Sequence, residues 1–151
     1  MMIDLLKTDR MDKKIKVVYY DQENNLAIET LWATKEGEYY RIKNIPFFAS
    51  NLSYNDLIKV ELDNNEMYFD ELIESSGHST LQIVFFNDEL VSQSKSHLLE
   101  LGCSWEGSHK KNYISVDIPS TVEYNSVKNY LDKLEMQNKL SYREACLAHK
   151  T

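Results

Sequence analysis

The first residues in the sequence that could carry out chemistry are His78, Ser79 and Thr80, which follow a glycine and precede an apolar run. A histidine beside hydroxyl side chains is typical of a general base next to a nucleophile. Neighbouring strand residues point to opposite faces, so His78 and Thr80 can share a face. Because the pattern specifies no acidic third member, we expect His78 to make a structural hydrogen bond rather than to catalyse.

Metal and cofactor chemistry have less support. The four histidines are far apart in the sequence and show no His-x-x-x-His spacing. Cys103 and Cys146 are also distant from each other, and we expect both to be free thiols used as small packing residues. No Walker, dinucleotide or Gly-x-Ser-x-Gly motif is present. The sequence therefore predicts no metal, no cofactor and no catalytic residue.

A strongly acidic stretch is the sharpest physical feature of the chain. Residues 56–74 contain seven acids and one lysine, a formal charge of −6 against −7 for all 151 residues. Acids that alternate with apolar residues on strands line an exposed face, which can steer a basic partner or only aid solubility. The predicted partner-binding residues, including two aromatic anchors, are Glu61, Asp63, Glu66, Tyr68, Asp70, Glu71, Glu74 and Trp105.

An aromatic segment lies ahead of the acidic stretch. Pro46 favours an extended chain, on which the adjacent Phe47 and Phe48 face opposite ways. We expect them to fill the space between two halves of the protein. The alternative is a ligand pocket at that junction. Its predicted residues are Trp32, Phe48, His78, Ser79 and Thr80.

Composition limits the classes of function. A chain with net charge −7 is a poor binder of nucleic acid, which is recognised by lysine and arginine. No apolar run approaches the roughly 20 residues of a membrane span. The first residues contain neither a long apolar core nor a small-residue cleavage site, so we expect a cytoplasmic protein.

The elements that must position these residues fall into two sets. Residues 1–14 are predicted to form a frayed or helical leader, and residues 15–76 a small β subdomain. Alternating apolar runs and tight turns favour a small antiparallel barrel or curled sheet. Its predicted strands are 15–20, 26–34, 39–42, 57–62 and 67–74.

The pattern changes after Gly77, and residues 77–151 are predicted to form an α+β subdomain. The order of strand, helix, strand, strand and helix is typical of a ferredoxin-like split βαββα unit without its final strand. The predicted strands are 81–86, 103–106 and 113–118, and the predicted helices are 87–101 and 122–136. Ser141 and Glu144 form a capping box that predicts a last short helix over residues 141–149.

Several blocks together resemble a widespread bacterial family of unknown function. They are TLWA within residues 29–33, YRI at 40–42, NIPFFA at 44–49, LSYND at 52–56 and SGHST within 74–81. Asn55 stands where the pattern often has glycine, and asparagine tolerates the same left-handed turn. The resemblance covers roughly residues 15–135 and implies no activity and no catalytic residue. Some small acidic proteins of this kind are immunity partners of secreted bacterial toxins.

We therefore expect a non-enzymatic binding protein, and specifically an immunity protein. It would neutralise a secreted bacterial toxin, such as a nuclease, by covering the active site with an acidic face that mimics phosphates. The expected partner is a basic protein, with neither nucleic acid nor membrane involved. The alternative is an enzyme or small-ligand-binding protein with its site at the junction around His78.

Overall fold

A computed structural model describes residues 12–150 and contains mostly antiparallel sheet with two helices. This confirms the predicted α+β class. The first half consists of five strands, as the turn pattern predicts. These are β1 (Asp12–Tyr20), β2 (Leu26–Glu36), β3 (Tyr39–Ile42), β4 (Leu57–Asp63) and β5 (Glu66–Glu74).

The five strands pair in chain order, and the sheet closes on itself into a barrel. Closure is made by β1, which pairs antiparallel with β2 along its whole length and parallel with β5 at two positions. There Ile15 lies opposite Met67 and Lys16 opposite Tyr68. The inward side chains form an apolar core, which is made of Ile15, Val17, Leu31, Ala33, Tyr40, Ile42, Ala49, Leu52 and Ile58.

The second half is a four-stranded sheet with two helices. Its elements are β6 (Ser79–Phe85), α1 (Glu89–Glu100), β7 (Ser104–Gly107), β8 (Tyr113–Ile118), α2 (Tyr124–Met136) and β9 (Leu140–Cys146). The strand order is β7-β8-β6-β9, and all neighbours are antiparallel. Strand β6 is therefore central, and all but one of its residues are buried.

The two faces of this sheet differ in chemistry. Leu81 and Ile83 of β6 belong to an apolar core that also contains Leu98 of α1 and Leu131 of α2. On the other face of β6, Thr80 and Gln82 are polar, and they contact the segment of residues 43–56 that leads from β3 to β4. The helices thus cover one face, and the barrel half covers the other. We call this second, polar contact the seam.

The predicted helix over residues 141–149 is wrong. Residues 140–146 form β9, which pairs with β6 and supplies the final strand that the sequence did not indicate. Glu144 does not cap a helix; its carboxylate accepts a hydrogen bond from the hydroxyl of Tyr124 on α2. An open edge of the central strand outweighs the weak local preference for a helix, because pairing there satisfies a whole row of backbone groups.

The predicted leader is only partly within the described residues. Strand β1 begins at Asp12, so residues 12–14 are strand rather than leader, and residues 1–11 lie outside the described range. Among the helices of residues 12–150, neither has the length and apolar character needed to cross a membrane.

Candidate functional site

His78 lies at the seam and is hydrogen-bonded to a buried carboxylate. Its Nδ1 is 2.7 Å from Oδ1 of Asp117 on β8, and the two side chains are 17% and 6% exposed. The ring of Tyr54 packs beside the imidazole, with 5.7 Å between ring centroids. Burial raises the pKa of Asp117, and the hydrogen bond from His78 opposes that rise. The hydrogen bond that the sequence predicts for His78 is thus present.

The two hydroxyl residues that follow His78 are fully buried. The Ser79 hydroxyl is 2.6 Å from Nδ1 of His149, and it accepts hydrogen bonds from the backbone N–H groups of Ala148 and His149. The Thr80 hydroxyl is 2.7 Å from the hydroxyl of Ser53. Thr80 therefore belongs to the seam, whereas Ser79 holds the residues that follow β9, and neither hydroxyl is open to a substrate.

Trp32 and Phe48 lie elsewhere. Trp32 is on the outer face of β2, beneath a lysine ammonium group. The ring of Phe48 stacks between Tyr19 of β1 and Tyr113 of β8, with centroid distances of 5.7 and 5.5 Å. Within residues 12–150, no hydrogen bond or ring contact joins either aromatic residue to His78. The predicted junction residues are therefore not brought together in one place.

A buried glutamate anchors the aromatic segment to the barrel. The carboxylate of Glu29 accepts hydrogen bonds from the backbone N–H groups of Phe47, Phe48 and Ala49 at 2.6, 3.1 and 2.9 Å. Charged acceptors make the stronger hydrogen bonds of this kind. Glu29 therefore fixes the irregular chain that carries Phe48, even though that chain has no strand partner there.

Two more carboxylates hold the connecting segment. Glu106 on β7 accepts the N–H of Ile45 at 2.9 Å, which links the two halves. Asp56 accepts the N–H groups of Ser53 and Ser76, both at 2.8 Å. Asp56 is buried, so it is the one acid of the acidic stretch that cannot lie on an exposed face.

Amide and guanidinium groups complete the seam. Gln82 on β6 donates from Nε2 to the carbonyl oxygens of Pro46 and Ala49 at 3.4 and 3.3 Å. Its Oε1 accepts a hydrogen bond from Nε of Arg143 at 2.5 Å, and the same guanidinium donates to the carbonyl of Phe48. The seam is thus a connected polar network, which fixes the relative position of the two halves.

The predicted acidic face lies on the outer side of the β4–β5 hairpin. The turn is made by Asn64 and Asn65, whose φ angles of 51° and 66° are those of a type I′ turn. Register shifts near Lys59 and Leu57 leave extra residues on β5, so the neighbouring Asp70 and Glu71 are both exposed. The structure therefore brings together six acidic residues that the sequence predicts: Glu61, Asp63, Glu66, Asp70, Glu71 and Glu74.

Basic side chains neutralise three of these acids. Lys16 Nζ is 2.5 Å from Glu66, Lys59 is 3.9 Å from Asp70, and Arg41 is 4.0 Å from Glu74. The hydrogen bond from Lys16 lowers the pKa of Glu66. The other three, Glu61, Asp63 and Glu71, make no ion pair with any residue in the range 12–150.

The two predicted aromatic anchors are separated. Tyr68 lies on the acidic hairpin opposite Glu61, and its hydroxyl is 3.3 Å from a carboxylate oxygen of Glu66. Trp105 lies on β7, packs against the core of the second sheet and carries the ammonium group of Lys95 4.0 Å above its ring. Only Tyr68 is therefore part of the acidic face.

Most residues that organise the seam have no clear signal in the sequence. Asp117 occupies a polar position in an alternating strand, a pattern typical of an exposed side chain, and Glu106 lies in a short edge strand. Glu29 could have been found, because it shares the inward face of β2 with Leu31 and Ala33. An acid at an apolar position of a strand indicates a buried carboxylate with backbone partners.

The cysteines and possible metal ligands offer no alternative site. Both cysteines are free thiols, and burial raises the pKa of Cys103 to about 12 and also raises that of Cys146. Such thiols stay protonated at neutral pH. No group of three or more potential metal ligands occurs within residues 12–150.

Comparisons with known proteins place the chain in a family. A model of the domain of unknown function DUF4265 matches residues 29–142. The structure is similar to one described as a novel crystal structure of a hypothetical protein from Neisseria gonorrhoeae, with 35% sequence identity and a TM-score of 0.82. That match covers 93% of this chain and 99% of the other. The curated proteins give no match. The chain therefore belongs to the DUF4265 family, whose function is unknown.

Proposed function

We propose that this chain is a non-enzymatic, cytoplasmic binding protein that holds a basic protein partner against the acidic face of its β4–β5 hairpin. The specific role we propose is that of an immunity protein. The partner would be a secreted bacterial toxin domain, such as a nuclease, whose phosphate-binding surface the acids cover. Neither nucleic acid nor membrane takes part.

One observation carries the proposal: Glu61, Asp63 and Glu71 are exposed on one hairpin and make no ion pair within residues 12–150. Ion pairs within the chain already occupy the acids beside them. These three acids give one hairpin an uncompensated negative charge, which a cationic surface would attract and offset. Tyr68 lies on the same hairpin and adds an aromatic side chain of the kind that anchors interfaces.

We also infer that residues 79–146 form a ferredoxin-like unit. Its support is the element order β-α-β-β-α-β together with the sheet order β7-β8-β6-β9. In this arrangement the helices cover the face away from the barrel half. The acidic hairpin then remains free of the second unit's helices and can meet a partner.

The junction supports a second candidate function, a small-ligand or catalytic site at His78. Its Nδ1 is held by Asp117, and no described residue is bonded to its Nε2, which is the arrangement of an oriented general base. Replacing His78 with glutamine tests this: any activity found for the purified protein should be lost while the melting temperature changes little. An unchanged activity would remove His78 from the site.

The proposed immunity role is tested by capture and kinetics. The wild-type chain and the variant Glu61→Gln/Asp63→Asn/Glu71→Gln are immobilised and exposed to lysate of the source organism. Proteins retained only by the wild type are purified, and their association is measured by stopped-flow. Because exposed charges are screened beyond about 8 Å at physiological ionic strength, the on-rate should fall severalfold between dilute and physiological buffer.

A matched control separates this local field from net charge. Glu23→Gln/Asp88→Asn/Glu100→Gln removes the same number of exposed acids from outside the hairpin. We expect the control to bind at nearly the wild-type rate, and the hairpin variant to bind at least tenfold more slowly. Equal rates for the two variants, or a partner with an acidic surface, would contradict the proposed function.

A further inference from the structure

Four large apolar side chains lie exposed together on the outer face of the β1–β2 hairpin. Val18 and Ile28 are 51% and 54% exposed, and Tyr20 and Leu26 are each 66% exposed. The strand register places Val18 opposite Ile28 and Tyr20 opposite Leu26. Side chains in such pairs have Cβ atoms about 5 Å apart and touch one another. We call these four residues the hairpin patch.

The hairpin patch ends at a polar pair on the same strand face. Nearer the base of the hairpin, the next pair on that face is Lys16 and Thr30, which is polar. Single exposed apolar residues are ordinary on protein surfaces, but contiguous groups mark sites of interaction. A hairpin with only a structural role would gain solubility from polar residues at all four positions. The patch therefore indicates a surface that is covered when a partner is bound.

The hairpin patch adjoins the acidic face. Lys16 lies opposite Tyr68 where β1 meets β5, and its ammonium group contacts Glu66. Val18 is two residues beyond Lys16 on the same face, about 7 Å along the strand. An apolar region and an acidic region thus form one continuous surface on the barrel, joined at the Lys16–Glu66 ion pair.

We propose that the hairpin patch and the acidic face form one docking surface for a protein segment whose apolar side chains are flanked by lysine or arginine. This inference rests on the proposed function and specifies the partner's surface. Specific interfaces have an apolar centre and a polar rim, and tyrosine is common among their central residues. Tyr20 and its three neighbours supply the centre, and the unpaired acids supply one side of the rim.

Charge argues against a second copy of the same chain as the occupant. A two-fold contact through the hairpin patch would place the acidic hairpins of two molecules near each other, each from a chain of net charge −7. Like charges brought together across an interface oppose association. A basic partner meets the same surface with attraction instead.

Two synthetic peptides of equal charge separate the apolar and acidic contributions. The first alternates leucine and lysine over nine residues (LKLKLKLKL), and the second replaces each leucine with serine (SKSKSKSKS). Binding of each to the full chain is measured by fluorescence anisotropy at low and at physiological salt.

The variant Val18→Thr/Ile28→Thr removes apolar surface and keeps β-branched residues, so the strands are preserved. Leu99→Gln, at a position 55% exposed on α1, is the control.

We expect the wild type and the Leu99→Gln control to bind the leucine peptide at least tenfold more tightly than the serine peptide. The hairpin-patch variant keeps Tyr20 and Leu26, so its preference for the leucine peptide should fall at least threefold below that of the wild type, and its affinity for the serine peptide should equal that of the wild type. Equal binding of the two peptides by the wild type would overturn the inference. A leucine preference of the same size in the variant and the wild type would do the same.

The same experiment tests the proposed function separately. If the proposed function is wrong, the serine peptide binds the Glu61→Gln/Asp63→Asn/Glu71→Gln variant as tightly as it binds the wild type, whatever the leucine preference is. Light scattering of the free chain tests whether a second copy of the chain occupies the hairpin patch. A dimer that becomes a monomer on Val18→Thr/Ile28→Thr substitution would show that a second copy covers the patch, and this inference would be wrong.

Discussion

The hydroxyl oxygens of Ser53 and Thr80 lie 2.7 Å apart in a position with no solvent exposure. Ser53 belongs to the segment between β3 and β4, and Thr80 belongs to the central strand of the second sheet. The Thr80 hydroxyl is also 3.2 Å from the carbonyl of Leu52. This small polar contact therefore joins the barrel half to the sheet half at the centre of the seam.

Replacing Thr80 with valine preserves its shape and removes the hydroxyl, so the Ser53 hydroxyl loses a buried partner. An unsatisfied buried polar group costs roughly 1–3 kcal/mol, and we expect that loss in the free energy of unfolding from urea titration. Adding Ser53→Ala should restore part of it. Thr30→Val on the exposed face of β2 is the control and should change stability by less than about 0.5 kcal/mol. Equal effects at both threonines would contradict the prediction.

Replacing Glu29 with alanine should destabilise the protein strongly, because three backbone N–H groups lose a charged acceptor. We expect a loss of roughly 3–5 kcal/mol, since each such group left unsatisfied costs about 1–3 kcal/mol and the segment can partly relax towards water. Differential scanning calorimetry measures it. Hydrogen exchange should show faster exchange at Phe47, Phe48 and Ala49. Glu23→Ala, in the exposed turn before β2, should leave both measurements unchanged.

Asp117 predicts how stability depends on pH. Because burial raises its pKa above the ordinary 3.8, the native state binds this proton more tightly than the unfolded chain does. The resulting stabilisation is fully present below pH 3.8 and is lost as the pH rises through the raised pKa of the folded state. Asp117→Asn cannot titrate there. The stability of the wild type relative to the variant should therefore fall across that window in urea titrations at several pH values. Parallel curves would show that Asp117 titrates normally.

Gly102 follows α1 and should not tolerate a side chain. Its φ is +100°, and an added Cβ would lie 2.9 Å from Cγ2 of Val122. Gly102→Ala should therefore lower stability by about 1 kcal/mol or more, from backbone strain and overpacking together. Gly107→Ala is the matched control, since a Cβ there meets nothing within 4 Å. A melting temperature that falls equally in both variants would show that neither the space around the added Cβ nor the φ angle of the glycine determines the loss of stability.

The barrel half was predictable because its signals are local. Alternating apolar residues identify the buried faces of β1 to β5, and Asn64 and Asn65 mark a hairpin turn by residue type alone. The final strand was not predictable in this way. Residues 140–146 have a weak helical pattern, and only the unpaired edge of β6, about 60 residues earlier in the chain, makes them a strand.

The candidate site follows the same division. The sequence indicates His78 as a residue of interest and predicts its hydrogen bond, but its partner Asp117 comes from a strand 39 residues later. Likewise, the exposure of the acidic hairpin follows from local alternation. The ion pairs of Glu66 and Glu74 do not follow from it, because Lys16 and Arg41 come from other strands. Contacts between distant segments depend on topology, which no short window of sequence contains.

The position of β9 also affects how the protein forms during synthesis. Strand β9 follows all the other described elements in chain order, yet it pairs with the central strand β6. Until the ribosome has released residues 140–146, β6 has one open edge, and open edges are templates for aggregation. The barrel half can close before then, because β1 to β5 precede β6 in the chain. Cellular chaperones would therefore meet a folded barrel attached to an incomplete sheet.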